Sequence, residues 1–174
     1  IIPAYFFGIN FNLMRKNLKK YLKGRNKQFL KESSVKLACL LKQKKINNLI
    51  FLNYCSKLEK FLYWGQQLVA ESLGKKGNGF LPIVSNMPKD HHSLLQLYLD
   101  GPRDKLFHIF SEDDKSKKKI KASKFSKKIS YLNNKTIDKV KTAQKNALAR
   151  TFTSNKIPFR EFKIKEIDEK TLGE

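Results

Sequence analysis

The stretch Asn47-Asn48-Leu49-Ile50-Phe51-Leu52-Asn53-Tyr54-Cys55-Ser56-Lys57-Leu58-Glu59 decides the fold. Leu49 to Leu52 run without a polar break, and asparagines flank them. A strand with one wet face would alternate, so the unbroken run predicts a short strand covered on both sides. Ser56-Lys57-Leu58-Glu59 has the S-x-x-E form of a capped helix start. Leu58, Phe61, Leu62, Gly65, Leu68, Val69 and Ser72 then recur at helical spacing, and Gly74 is the expected stop.

The alternation of strand and helix continues downstream. Phe80 to Val84 reads as a second strand, and Pro82 inside it points to an edge or an end. Asp90 to Leu99 reads as a helix stopped by Gly101-Pro102. Leu106 to Phe110 is a third strand. Residues 111–135 form a polar, Lys-rich excursion. Thr136 to Asn155 is a long amphipathic helix that Pro158 terminates. Phe159 to Ile164 alternates apolar and charged residues, as a half-exposed strand does, and a last helix starts near Lys165. Upstream, residues 13–45 read as two helices interrupted at Gly24. Short strands alternating with helices imply an α/β fold with a mainly parallel sheet.

The chain has 174 residues, with 37 Lys or Arg against 15 Asp or Glu, a formal net charge of +22. That length suits one domain, two at most. The charge suggests a polyanion, but 32 of the basic residues are Lys and only 5 are Arg. Base readout and bidentate phosphate contacts favour Arg. No helix-turn-helix, zinc-finger or RRM pattern accompanies the charge, so specific nucleic-acid binding has little support. No apolar run approaches the roughly 18–20 residues of a membrane span. The apolar start lacks the basic region and cleavage site of a secretory signal. Cys39 and Cys55 form no C-x-x-C pair, so neither a disulfide framework nor a structural zinc is expected, and a reducing cytoplasm fits. The chain opens Ile1-Ile2-Pro3 without Met and closes at Glu174 as a helical pattern begins. Both ends read as truncations of a longer protein.

Few residues offer chemistry. Glu71 sits in the last turn of its helix, where the macrodipole disfavours an anion. Trp64, Gln67 and Glu71 share a second face at i, i+3, i+7 spacing. That strip could line a polar cleft, or it could be a solvated face with Glu71 paired to Lys75. His91 and His92 are candidate proton carriers that Asp90 could orient. Alternatively, Asp90 caps the helix and both histidines are ordinary first-turn residues. No third ligand has metal-site spacing with them. His108, inside a strand, reads as a packed core residue. Ser72, Ser93 and the cysteines lack a nucleophile motif, and Glu112-Asp113-Asp114 reads as solvated. Phosphate loops are absent: Gly74-Lys75-Lys76-Gly77-Asn78-Gly79 follows a helix instead of opening one.

Two motifs together resemble a known family. Gln67-x-x-x-Glu71-Ser72-Leu73-Gly74-Lys75 is similar to the Q-x-x-x-E-S-x-G-K segment of glucose-6-phosphate isomerases. About twenty residues later, His92-Ser93-Leu94-Leu95-Gln96-Leu97 is similar to that family's H-x-x-x-Q-L segment. The run from Met87 to Pro102 resembles the bacterial branch. The resemblance implies a three-layer αβα sandwich of SIS (sugar isomerase) type, truncated at both ends. Residues 1–174 would be part of the C-terminal-half SIS domain.

It also implies interconversion of glucose 6-phosphate and fructose 6-phosphate through a cis-enediol. Glu71 would be the catalytic base, Gln67 would contact the substrate, and His92 would assist ring opening in the neighbouring subunit's site. A homodimer, and neither metal nor organic cofactor, is implied. Leu73 departs from the Asn of many members. The family's phosphate-binding loop, the Arg of its G-G-R segment and its C-terminal Lys lie outside this chain, so the isolated chain is expected to be inactive. The alternatives are a non-catalytic SIS-type sugar-phosphate-binding protein and, further off, a basic nucleic-acid-binding module.

Overall fold

A computed structural model describes residues 2–43, 45–113, 117–122 and 127–173. The unbroken apolar run forms β1 (Asn48–Asn53), with every residue from Leu49 to Asn53 buried. It pairs in parallel with β2 (Leu81–Asn86) on one side and β3 (Lys105–Glu112) on the other. β4 (Phe159–Ile164) pairs in parallel with β3, which makes the sheet order β2-β1-β3-β4. The central strands are the apolar ones. Pro82 lies on an edge strand, where its missing N–H breaks no ladder, and the alternating β4 closes the other edge.

Helices cover both faces. On one face, α4 (Gly24–Lys42), the turn before α5 and α5 (Glu59–Leu73) bring Leu37, Leu40, Leu58 and Leu62 against Leu49, Phe51 and Leu106. On the other, α6 (Lys89–Ser93), α7 (Leu95–Asp100) and α8 (Ile137–Ser154) bring Tyr98, Leu148 and Phe152 against Ile50, Leu52, Phe107 and Ile109. The molecule is a three-layer αβα sandwich with an all-parallel sheet. Each fully buried apolar side chain contributes about 1.5–3 kcal/mol. Three short helices, α1 (Ile2–Phe6), α2 (Phe11–Arg15) and α3 (Leu18–Tyr21), precede α4, and α9 (Glu169–Gly173) packs on α2.

Several local expectations need correction. Ser56 does not cap α5. Residues Ser56–Leu58 form a 3-10 turn, Leu58 precedes the helix without a side-chain cap bond, and Glu59 binds the side chain of Asn86 instead. Leu68 and Ser72 are exposed, because α5 lies over the sheet edge and only Leu62 is fully covered along its length. The helix expected at Asp90–Leu99 is two helices that break at Leu94. The last helix starts at Glu169, not near Lys165. The excursion begins after β3, since Ser111 and Glu112 belong to that strand. It is partly structured: Lys119 bridges Thr136, Ala122 is buried, and a 3-10 segment spans Lys127–Leu132. The Lys115–Lys128 block lies partly outside the described residues.

Candidate functional site

Glu71 occupies the last turn of α5, which ends where Gly74 N–H bonds the Ala70 carbonyl at 2.9 Å. One turn back on the same face, Gln67 Nε2 donates to Glu71 Oε1 at 2.9 Å. The amide thus orients one carboxylate oxygen. Both side chains are exposed. Trp64 stands on the same strip, 53% exposed, its ring 5.4 Å from that of Phe61. Lys75 lies past the helix end, and no Glu71–Lys75 ion pair forms among the described residues. The carboxylate keeps an open oxygen toward solvent, and Gln67 is its partner.

His92 is placed elsewhere. α5 starts beyond the carboxyl end of β1 and returns to the amino end of β2, so Gln67 and Glu71 lie toward the amino edge of the sheet. α6 leaves the carboxyl end of β2, and His92 stands exposed on it. The six residues of β2 separate the two edges, a span of about 20 Å at about 3.3 Å per residue. The fold therefore joins Gln67 to Glu71 and keeps His92 apart from them within one chain.

The start of α6, the helix that carries His92, is held by a polar network whose partners the sequence patterns did not give. Asp90 Oδ2 accepts from Ser85 Oγ at 2.9 Å and from Asn86 N–H at 2.8 Å. Asn86 Nδ2 donates to Glu59 Oε1 at 2.8 Å, and Asn53 Nδ2 donates to Asn86 Oδ1 at 2.9 Å. Asp90 thus neither caps α6 nor orients a histidine. It ties α6 to the end of β2. The available signal was an asparagine closing each of two strands, Asn53 and Asn86.

His91 turns inward and shares a 2.6 Å hydrogen bond with the Tyr54 hydroxyl. Burial lowers the His91 pKa and raises that of the Tyr54 phenol, so both stay neutral near pH 7. His108 is a core residue, between Phe51 and Phe162. Burial, and then the Arg160 charge, push its pKa down to about 4. Its Nε2 has no hydrogen-bond partner among the described residues. No group of three or more His, Cys, Asp and Glu side chains among those residues could hold a metal ion. No helix among them is long and apolar enough to cross a membrane. Cys39 and Cys55 are both free thiols.

No protein-family model matches the sequence. Curated relatives do. The glucose-6-phosphate isomerase of Methanocaldococcus jannaschii is 32% identical over 131 residues, 71% of this chain and 30% of that protein. The probable glucose-6-phosphate isomerase of Halobacterium salinarum is 33% identical over 122 residues, 70% of this chain and 28% of that protein. The glucose-6-phosphate isomerase of Mycoplasmopsis synoviae is 31% identical over 138 residues, 77% of this chain and 32% of that protein. The matched part is thus about a third of the length of these relatives. A crystal structure of a hypothetical protein from Thermus thermophilus superposes with a TM-score of 0.83 at 22% identity, covering 98% of this chain and 43% of that one. That likeness concerns the fold. From the sequence relatives, the chain is a distant relation of the glucose-6-phosphate isomerases.

Proposed function

We propose that this chain is part of an aldose–ketose isomerase that interconverts glucose 6-phosphate and fructose 6-phosphate, built on the second SIS domain of that enzyme. The observation that carries the reading is the repeated match to curated glucose-6-phosphate isomerases at about 30% identity. Glu71 is the base that moves a proton between C1 and C2, which requires a carboxylate within hydrogen-bond reach of the carbon-bound proton. Its exposed position and its Gln67 partner support that role, since one oxygen is held and the other is open. Gln67 then contacts substrate beside it. His92 assists ring opening.

The separation of Glu71 from His92 supports a composite site in a homodimer, in which His92 of one copy meets Glu71 of the other. A two-fold interface of this kind is the commonest symmetric assembly. The proton shuttle between adjacent carbons needs no metal or organic cofactor, and the free thiols fit a reducing cytoplasm. The residues that grip phosphate belong to parts of the protein outside this chain.

Glu71→Gln in the complete protein tests the reading. The amide keeps the shape and the Gln67 contact but cannot accept the proton. Turnover should fall by about 10²–10⁴, the usual contribution of a general base, with KM little changed. A complete protein that binds sugar phosphate without isomerising it, or a Glu71→Gln variant that turns over normally, would show a binding protein instead.

A further inference from the structure

The carboxyl edge of the sheet holds a second polar feature, remote from Gln67 and Glu71. α5 leaves β1 over one face, and α8 leaves β3 over the other. The carboxyl ends of β1 and β3 therefore splay connections in opposite directions. In open α/β sheets, ligands bind in the crevice at such a switch point. A crevice of about 260 Å³ lies there, walled by Tyr54, Cys55 and Lys57 just after β1 and by Ser111 and Glu112 from the end of β3. Asp138, Lys141, Thr142 and Lys145 close it from α8, at the i, i+3, i+4, i+7 spacing of one helix face.

A second observation, independent of the topology, points into the crevice. Ser111 is 7% exposed, and its Oγ has no hydrogen-bond partner among the described residues. Ser111 follows Phe107 and Ile109 on the α8-facing side of β3, so the hydroxyl is directed toward the crevice. Buried hydroxyls are nearly always paired, and an orphan invites a ligand atom.

The wall chemistry selects the ligand. Three ammonium groups (Lys57, Lys141, Lys145) face three carboxylates (Glu112, Asp113, Asp138). All six are already matched. Lys57 meets Glu112 at 3.3 Å, Lys141 meets Asp138 at 3.5 Å, Lys145 pairs with Glu161, and Lys163 meets Asp113 at 2.7 Å. An anion entering would face the carboxylates, and a cation the ammoniums. An uncharged polyhydroxylated molecule suits both, because each hydroxyl donates to a carboxylate and accepts from an ammonium or from a serine hydroxyl. The volume is below the range of about 300–1,000 Å³ that holds drug-sized ligands, which favours one small ring.

We propose that the crevice at the carboxyl ends of β1 and β3 binds an uncharged polyol of monosaccharide size, with Ser111, Thr142 and the Lys57–Glu112 and Lys141–Asp138 pairs as its hydrogen-bonding partners. The site is separate from Gln67 and Glu71 and does not rest on the isomerase reading.

The complete protein is titrated with D-glucose and with myo-inositol, followed by amide chemical shifts. Inorganic phosphate and glycine serve as charged controls. At least one of the two uncharged probes should give saturable shifts at Ser111, Glu112, Thr142 and Lys145. Ser111→Ala should weaken that binding about tenfold, the scale of one lost hydrogen bond. It should leave Tm unchanged or higher, because it removes an unpaired buried hydroxyl. Thr142→Val, on an exposed helix position, should weaken it similarly, and Glu71→Gln should bind like the parent. Three results each overturn the proposal: no saturable crevice shifts with either uncharged probe, tighter crevice binding of phosphate or glycine than of both, or parent-like affinity in both Ser111→Ala and Thr142→Val.

Discussion

Mixing two variants of the complete protein tests the proposed composite site. Glu71 lies toward the amino edge of the sheet, and His92 lies beyond the carboxyl edge. The β2 strand between them spans about 20 Å. A proton acceptor must come within about 3 Å of its proton, so the two residues of one chain cannot serve one sugar carbon chain of a few ångströms. Each site of a two-fold dimer would instead take Glu71 from one copy and His92 from the other. Glu71→Gln and His92→Asn homodimers should then each be impaired at both sites. After unfolding and refolding together in equal amounts, about half of the dimers are mixed, and each mixed dimer has one intact site and one doubly altered site. The mixture should regain about a quarter of parent turnover. The assay is the coupled rate of fructose 6-phosphate conversion before and after co-refolding. No gain above the mean of the two separate variants, with mixed dimers shown to be present, would refute the shared site.

Other outcomes are set by the core. His108 has a folded pKa of about 4, below its ordinary 6.5. The unfolded chain therefore binds a proton first as pH falls, and stability is lost between about pH 6.5 and pH 4. Denaturant unfolding should show about 2 kcal/mol less stability at pH 5 than at pH 8 from this group. His108→Phe should remove that component of the slope, and an unchanged slope would assign it to other groups. Lys145 is almost fully buried beside the more exposed Glu161. Glu161→Gln should destabilise by about 3 kcal/mol in urea unfolding by leaving a buried ammonium unpaired, whereas Lys145→Met should cost less, because Glu161 can turn to water.

Much of the architecture is legible in one dimension. Leu49–Leu52 lacks alternation because both faces of β1 are covered, the charged residues of Phe159–Ile164 are tolerated because β4 is an edge whose side chains stay partly or fully exposed, and Pro82 is tolerated because β2 is the other edge. Gln67 and Glu71 could be placed on one face because helical spacing is fixed by 3.6 residues per turn. Their hydrogen bond is the local consequence.

Features that depend on contacts far apart in sequence were not legible. Ser56-x-x-Glu59 has the pattern of a capping box, yet Glu59 is drawn to Asn86, 27 residues away, because β2 brings that amide alongside. Asp90 is a different case: its partners Ser85 and Asn86 are only five and four residues away, at the end of the preceding strand β2, and a helix-cap pattern does not encode that strand-to-helix turn. Leu68 has core spacing but is exposed, since α5 overhangs the sheet edge.

By itself, then, the sequence determined the four strands, the long helices α5 and α8 and the shared face of Gln67 and Glu71, because periodicity acts within a few residues. The tertiary structure alone decided the strand order, the opposite-edge placement of Glu71 and His92, and the crevice around Ser111. Those depend on which segments the chain packs side by side, and local spacing does not encode that.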